Sequence, residues 1–413
     1  MEHFQGNDPC RLAELFGSPL YVYNEGILRE RCREMMGLVS YPRFRVHYSA
    51  KANSSIALLQ IIRSEGLNVD AMTPGEIHAE MLAGFTPDRI MYVSNNVSAG
   101  EMEYAAQRGI LVSVDSISQL ELYGGIRPGG KVAVRFNPGF GAGHHEKVIT
   151  AGAKTKFGVQ DTPEDIARVK QVCAEHGLTV VGLNMHVGSN FMEADSYLQS
   201  SRNLARIAKN FDELDFIDLG GGFGIPYNKQ EGQARLDLAA LGKQLDEFMH
   251  SVSGAYGRQP EFKIEPGRYV VAECGVLLGR VHAVKTSHGV KYVGTDIGFN
   301  VLARPMMYGS YHDIKVCRAD GGPDGPEQVV TVSGNICESG DVLAADRKLP
   351  QAREGDVLCV MDAGAYGHAM SSNYTNRLRP AEVLVRENSE VVLIRERDSL
   401  EDLTARHKLL PIT

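Results

Sequence analysis

Apolar and polar positions alternate in two rhythms along this chain, and the rhythm changes near residue 275. Between residues 43 and 267 there are eight short runs of β-branched, aromatic and other apolar residues, at 43–48, 68–72, 90–94, 111–115, 131–137, 179–187, 216–220 and 261–266. Stretches with helical spacing separate most of them, at 55–63, 74–83, 99–107, 162–176, 197–210 and 236–251. Thr162-Pro-Glu-Asp165 marks one helix entry well, with a capping hydroxyl, proline in the first position and acids in the first turn. Strands alternating with helices predict a parallel sheet, and eight of them predict a closed (β/α)8 barrel.

Beyond residue 275 the pattern is short strands and turns, at 276–284, 329–333, 357–362, 381–386 and 391–395, before a helical tail at 399–409. The Gly/Pro/Asp cluster at 321–325 reads as a turn. Pro19-Leu-Tyr-Val-Tyr23 is an isolated strand ahead of the barrel, expected to join the later strands. The expected organisation is an α/β plus all-β chain. Residues 1–39 join the β domain, 40–274 form the barrel, and 275–413 form a C-terminal β-barrel or sandwich domain.

Composition narrows the class. A length of 413 residues exceeds one ordinary domain, and 43% hydrophobic with 23% charged residues describes a globular protein with large cores. A net charge of −8 argues against nucleic acid or an anionic membrane as the main partner. Seven scattered cysteines without a C-x-x-C pair suit neither a disulfide framework nor a zinc site, and point to a reducing cytoplasm. No signal core or membrane-length apolar run is present, so a cytoplasmic protein is expected.

In a barrel of this kind, chemistry gathers at the strand C-termini. Those positions offer Lys51 after the first run, Asp70 within the second, Asn137 after the fifth and His186 in the sixth. Gly220-Gly-Gly-Phe-Gly224 follows the seventh run and Glu265-Pro-Gly-Arg268 the eighth. A lysine facing a closed site loses solvation, which frees its amine as a nucleophile toward an aldehyde. Glycines after the seventh strand and Gly-Arg after the eighth lie where barrels bind phosphate, because bare N–H groups can approach its oxygens. A carboxylate facing a pyridine nitrogen keeps it protonated, and a flat histidine can stack on such a ring. Lysine, phosphate glycines and a ring-facing acid together describe pyridoxal 5′-phosphate.

Ser49-Ala-Lys-Ala-Asn53, His186-Val-Gly-Ser189, Gly220-Gly-Gly-Phe-Gly224 and Glu265-Pro-Gly-Arg268 resemble the motifs of fold-type III pyridoxal-phosphate decarboxylases, whose architecture is that of alanine racemase. Ala303-Arg-Pro-Met-Met-Tyr308, Cys337-Glu-Ser-Gly-Asp341, Asp362-Ala-Gly-Ala-Tyr-Gly367, Ser371-Ser-Asn-Tyr374 and Arg379-Pro380 are similar to the diaminopimelate decarboxylase family. The resemblance implies that Lys51 holds the cofactor aldehyde and Glu265 pairs with the pyridinium. It places His186, Ser189, Gly221, Gly222, Gly267, Arg268 and Tyr366 around the cofactor. Substrate contacts fall to Arg268, Arg304, Tyr308, Glu338 and Tyr366, and Cys337 is the expected proton donor or shaper of that step. The family pattern brings Cys337 and Glu338 from the partner subunit, so a homodimer is expected. The implied reaction is decarboxylation of meso-2,6-diaminopimelate to L-lysine, the last step of lysine biosynthesis.

A substrate with two amino-acid ends needs a charge-matched clamp at the end that does not react, which makes Arg304 the discriminating residue. Val301, Asn190-Phe191 and Ile149-Thr-Ala-Gly152 depart from the commonest family pattern. They keep open decarboxylases of D-ornithine or D-lysine, of carboxynorspermidine, or of a glutamyl or citryl intermediate. An amino-acid racemase would carry an arginine where Glu265 stands, and a non-catalytic cofactor carrier would lack the β domain. A metal hydrolase on His144-His145-Glu146 lacks helical ligand spacing, so no metal is expected.

Overall fold

The computed structural model describes residues 2–139, 156–322 and 324–411. His144-His145-Glu146 and 149–152 lie outside the described residues. The chain separates into two compact units, Arg29–Pro226 with Ala234–Val270, and Met1–Leu28 with Tyr227–Gln233 and Val271–Thr413.

Strand β1 (Leu20–Asn24) belongs to the β-rich unit. The next strands are β2 (Phe44–Ser49), β3 (Asn68–Ala71), β4 (Ile90–Val93), β5 (Leu111–Val114), β6 (Lys131–Arg135), β7 (Thr179–Asn184), β8 (Phe216–Asp218) and β9 (Glu261–Ile264). They close a parallel barrel, with β9 returning to β2 through Phe44 opposite Phe262 and Val46 opposite Ile264. Both faces of such strands are covered, which explains near-continuous apolar runs in place of strict alternation.

Thr73, Ser98, Ser116, Thr162 and Asp237 each cap the following barrel helix by accepting a backbone N–H. The helix Ile117–Ile126 was not among those expected. Its apolar residues are spread around the axis and Gly124-Gly125 weakens its propensity, so tertiary packing and the Ser116 cap decide it. At the C-terminal end the barrel interior turns polar. Ser49, Asp70, Ser113, Asn184 and Asp218 are all buried there, with Ser113 Oγ donating to Asn184 Oδ1 at 2.8 Å.

The other unit contains β10 (Gly275–Ser287), β11 (Val290–Thr295), β12 (Ile314–Cys317), β13 (Glu327–Ser333), β14 (Val342–Pro350), β15 (Val357–Val360), β16 (Ala381–Val385) and β17 (Val391–Arg395). The main path runs β14-β13-β11-β10-β1-β16-β17, and β15 pairs with both β10 and β12. As the sequence predicts, β1 enters this sheet, antiparallel to β10 and parallel to β16. Leu20, Val22, Val276, Leu278, Val357, Cys359, Val383 and Val385 share one core with the helix Pro9–Phe16.

Strands β11, β12 and β14 escape the sequence pattern because polar residues interrupt them. His288 and Gly289, both at positive φ, make the two-residue turn from β10 to β11. The tail is a correction: instead of a helix over 399–409, only Leu400–Thr404 is helical. Ser399 and Asp402 form its capping box, but Leu400, Leu409 and Leu410 are exposed, so no apolar face is buried to extend it.

Candidate functional site

In the barrel unit the loops after the parallel strands share one mouth. Strand β2 ends at Ser49, and the single turn Ala50–Ala52 carries Lys51 half-buried between two buried alanines. Ser49 Oγ donates to Asp70 Oδ2 at 2.5 Å. Burial first, then the neighbouring Glu265, push the Asp70 carboxyl well above its ordinary range, while the Lys51 charge pulls it back.

Glu265 follows β9, and its backbone N–H is held by Gly220 O at 2.8 Å. Its carboxyl is 3% exposed, and Oε1 receives no hydrogen bond among the described residues. Burial and then Asp218 raise Glu265 well above the carboxylate range, opposed by Lys51 and Arg135. Asp218, at the end of β8, is itself pushed up to about 6 by burial. The two carboxyls settle as a pair that shares a proton, with Glu265 the partner that holds it. An acid with an empty acceptor, buried beside a cationic lysine, is matched to a ligand atom that carries a proton.

His186 lies just after β7. The Gly221 N–H donates to its Nδ1 at 3.2 Å, and Nδ1 stands 4.0 Å from Glu265 Oε2. Burial, then the charges of Lys51 and Arg135, lower its pKa far below the ordinary value, so the ring is neutral. The triple glycine is demanded by how closely the loops pass. A Cβ on Gly220 would lie 2.1 Å from Met185 O, on Gly221 1.9 Å from Glu265 O, and on Gly222 2.6 Å from Gly188 O. Gly220 and Gly222 also sit at positive φ. Arg268 Nη2 donates to Ser189 Oγ at 2.9 Å, tying the loops after β7 and β9 together. Gly267 packs against Ser49 and Ala52, where a Cβ would meet theirs at 3.1 Å. The structure thus gathers Lys51, His186, Ser189, Gly221, Gly222, Glu265, Gly267 and Arg268 at one barrel mouth.

Two residues of this mouth escaped the sequence reading. Arg135, buried at the end of β6, and Asp218 are single charges inside apolar runs, and that break in the pattern was the signal available.

In the β unit, Arg304 opens the short helix Arg304–Tyr308 and is 1% exposed. Its Nη1 donates to His312 Nε2 at 2.7 Å, leaving His312 Nδ1 to donate to Met361 O at 2.8 Å. The guanidinium also lies 4.5 Å from the centre of the Tyr227 ring, a cation–π contact. Lys229 Nζ reaches Glu273 and Asp362, each at 2.8 Å. Asp362 is nonetheless raised to about 6, because its burial outweighs the lysine. Tyr366, four residues on, is half-buried at φ 55, a backbone conformation that L side chains rarely adopt. Tyr308 is half-buried, whereas Cys337 and Glu338 are exposed, and the Tyr374 hydroxyl donates to Glu338 Oε1 at 2.5 Å. Val301, one of the departures from the family pattern, is buried and lends its carbonyl to the Tyr21 hydroxyl at 2.8 Å. Tyr227, Lys229 and His312 have no local sequence signal. Among the described residues no His, Cys, Asp and Glu cluster could hold a metal ion, and no helix is long and apolar enough to cross a membrane.

Residues 26–272 match the family described as pyridoxal-dependent decarboxylase, pyridoxal binding domain. The diaminopimelate decarboxylase of Methanothermobacter thermautotrophicus is 42% identical over 96% of this chain and 93% of its own. The chain belongs to the diaminopimelate decarboxylase family. The Escherichia coli K12 member is 35% identical, covering 96% of this chain and 95% of its own. The crystal structure of the Helicobacter pylori member, complexed with L-lysine, superposes with a TM-score of 0.88 at 27% identity, covering 96% and 98% of the two chains. The sequence expectations of family, barrel and added β domain agree with these relatives.

Proposed function

We propose that this family member decarboxylates meso-2,6-diaminopimelate to L-lysine and carbon dioxide with pyridoxal 5′-phosphate. The observation that carries the reading is the Glu265 carboxyl, buried and without a hydrogen-bond donor at Oε1, in the same barrel mouth as Lys51. The residues present fit the cofactor. Glu265 offers an acceptor for a protonated ring nitrogen, His186 a neutral flat face, and the Gly221–Gly222 loop with Gly267 a surface without side chains. When bound, the cofactor supplies an electron sink for the pair left at Cα as carbon dioxide departs.

The protein's own part is to hold, orient and exclude. Lys51 supplies the amine that retains the cofactor, and its charge draws the raised carboxyls of Asp70 and Glu265 back toward ionisation. Asp218 shares the proton that Glu265 holds, so the pair can release that proton when a protonated group faces Glu265. Arg268, fixed by Ser189, and Tyr366 complete the cofactor contacts. Arg304 and Tyr308 take the carboxylate that does not react, and a buried arginine with fixed geometry suits a planar anion. Glu338 reads the distal ammonium, and Cys337 holds or shapes the proton returned to Cα. A homodimer in which these two act on the neighbouring subunit's site belongs to the proposal, and their exposure in the single chain supports it. A cytoplasmic location does too, as the compartment where seven free thiols stay reduced.

The test is carbon dioxide release from meso-diaminopimelate by the purified protein and by Lys51→Ala. Lysine formed by the wild type, an absorbance band at about 420 nm, and loss of both in the variant are expected. A band without lysine would move the protein to another amino acid. No band after adding pyridoxal phosphate would sink the reading.

A further inference from the structure

The β unit contains a group of thiols that the proposed reaction does not use. Cys317 and Cys359 lie on neighbouring antiparallel strands, β12 and β15, with Lys315 opposite Cys359 and Cys317 two residues further along. Side chains two apart share a face of the sheet, so both thiols point the same way, and their Sγ atoms are 3.3 Å apart. Cys359 is fully buried in the core, whereas Cys317 is partly exposed. Cys317 also lines an open cleft of ≈ 990 Å³ together with Asp8, Lys315, Arg318, Asp324 and Arg347. A cleft lined by both signs of charge suits a small zwitterionic molecule.

We propose that Cys317 and Cys359 form a dithiol site that reacts with small-molecule disulfides of the glutathione type and closes into an intramolecular disulfide. Cys317 is the attacking sulfur, because the cleft reaches it, whereas Cys359, in hydrogen-bond contact with it, is buried. That hydrogen bond lowers the Cys317 pKa and raises that of Cys359. Cys10, next to the pair, donates toward the carbonyls of Cys317 and Arg318. Burial and then Asp8 push it up to about 11, so it stays a protonated bystander.

The Cys317 thiolate attacks one sulfur of the small disulfide, forming a mixed disulfide and expelling one thiolate. Cys359 then attacks Cys317 Sγ, and its proton leaves with the second thiol. Two protein thiols are oxidised, and one small disulfide is reduced to two thiols. The same strands lead to His312 and Met361, which hold Arg304. Closure is therefore expected to reach that arginine, a consequence that rests on the proposed function, while the bond itself does not.

The holoprotein is incubated with glutathione disulfide at neutral pH, then examined by intact mass and non-reducing peptide mapping. The expected result is loss of two hydrogens and a cross-linked peptide pair containing Cys317 and Cys359. In Cys359→Ser a glutathionyl group should remain on Cys317. A stable glutathionyl adduct on Cys317 of the wild type would overturn the proposal. So would modification confined to exposed Cys337, with Cys317 and Cys359 still reduced. The wild-type map decides without the variant, so poor folding of Cys359→Ser does not blunt the test.

Discussion

A group of acids in the barrel unit and Asp398 in the β unit hold their carboxyls on opposite terms. In the barrel, Asp70, Glu80 and Glu265 sit among apolar walls and one another, and burial holds all three in the protonated direction. Glu80 is the extreme case: neither oxygen has a hydrogen-bond partner among the described residues, and burial, then Asp70 and Glu76, push it up to about 9. In the β unit, Asp398 is gripped instead. Arg379 Nε reaches it at 2.9 Å, Asn373 at 2.9 Å and Arg395 at 3.2 Å, and these donors hold its carboxyl well below the usual range despite partial burial. The difference separates two uses of a charge. Acids short of donors hold a proton, whereas an acid saturated with donors stays charged and ties β17 to the segment before β16.

The largest effect should come from Glu265→Gln, which keeps the shape and removes the acid. If the empty acceptor serves a protonated ring nitrogen, kcat falls by about 10²-fold with KM little changed. Steady-state kinetics on meso-diaminopimelate checks this, and an unchanged kcat would mean that the barrel acid is structural like those of the β unit.

Next comes Glu80→Gln. The folded protein keeps a proton there that the unfolded chain releases, so stability falls as pH rises from about 4.5 to about 9. The variant lacks that slope and should melt at least ~2 °C higher than wild type near pH 8, with the gap closing toward pH 4. Thermal melts across the window decide it. A destabilised variant near pH 8 would show that Glu80 has a cationic partner.

Asp398→Asn is the mirror image and the smallest effect. Its folded pKa is depressed, so its contribution is present above the unfolded value and is lost as pH falls through the folded one. The variant should melt modestly below wild type at neutral pH and approach it below about pH 3. A difference that persists unchanged in acid would assign the effect to packing.

Local pattern carried the reading where an element is decided by its own residues. The barrel runs are apolar because both their faces are covered, so their number and order were legible, and so were Lys51 and Glu265 at strand ends. The motifs from Ala303 to Tyr374 were legible through family resemblance. Helix Ile117–Ile126 and strands β11, β12 and β14 were not, because each is held by neighbours more than by its own period. The tail failed in the other direction, since an apolar pattern forms a helix only where a core receives it.

The amino-acid sequence by itself determined the two-part architecture and the places of the lysine, the acid and the glycines at barrel strand ends. Tertiary structure alone decided that Asp218 and Glu265 share a proton. It alone seated Tyr227 and Lys229, which follow a barrel loop, in the β unit beside Arg304 and Asp362. It alone brought Cys317 within 3.3 Å of Cys359. The physical reason is range: periodicity and turn chemistry act over a few residues and leave a trace in the chain. Proton sharing, ion pairing and thiol proximity arise between atoms that only folding brings together, in surroundings whose burial no single segment encodes.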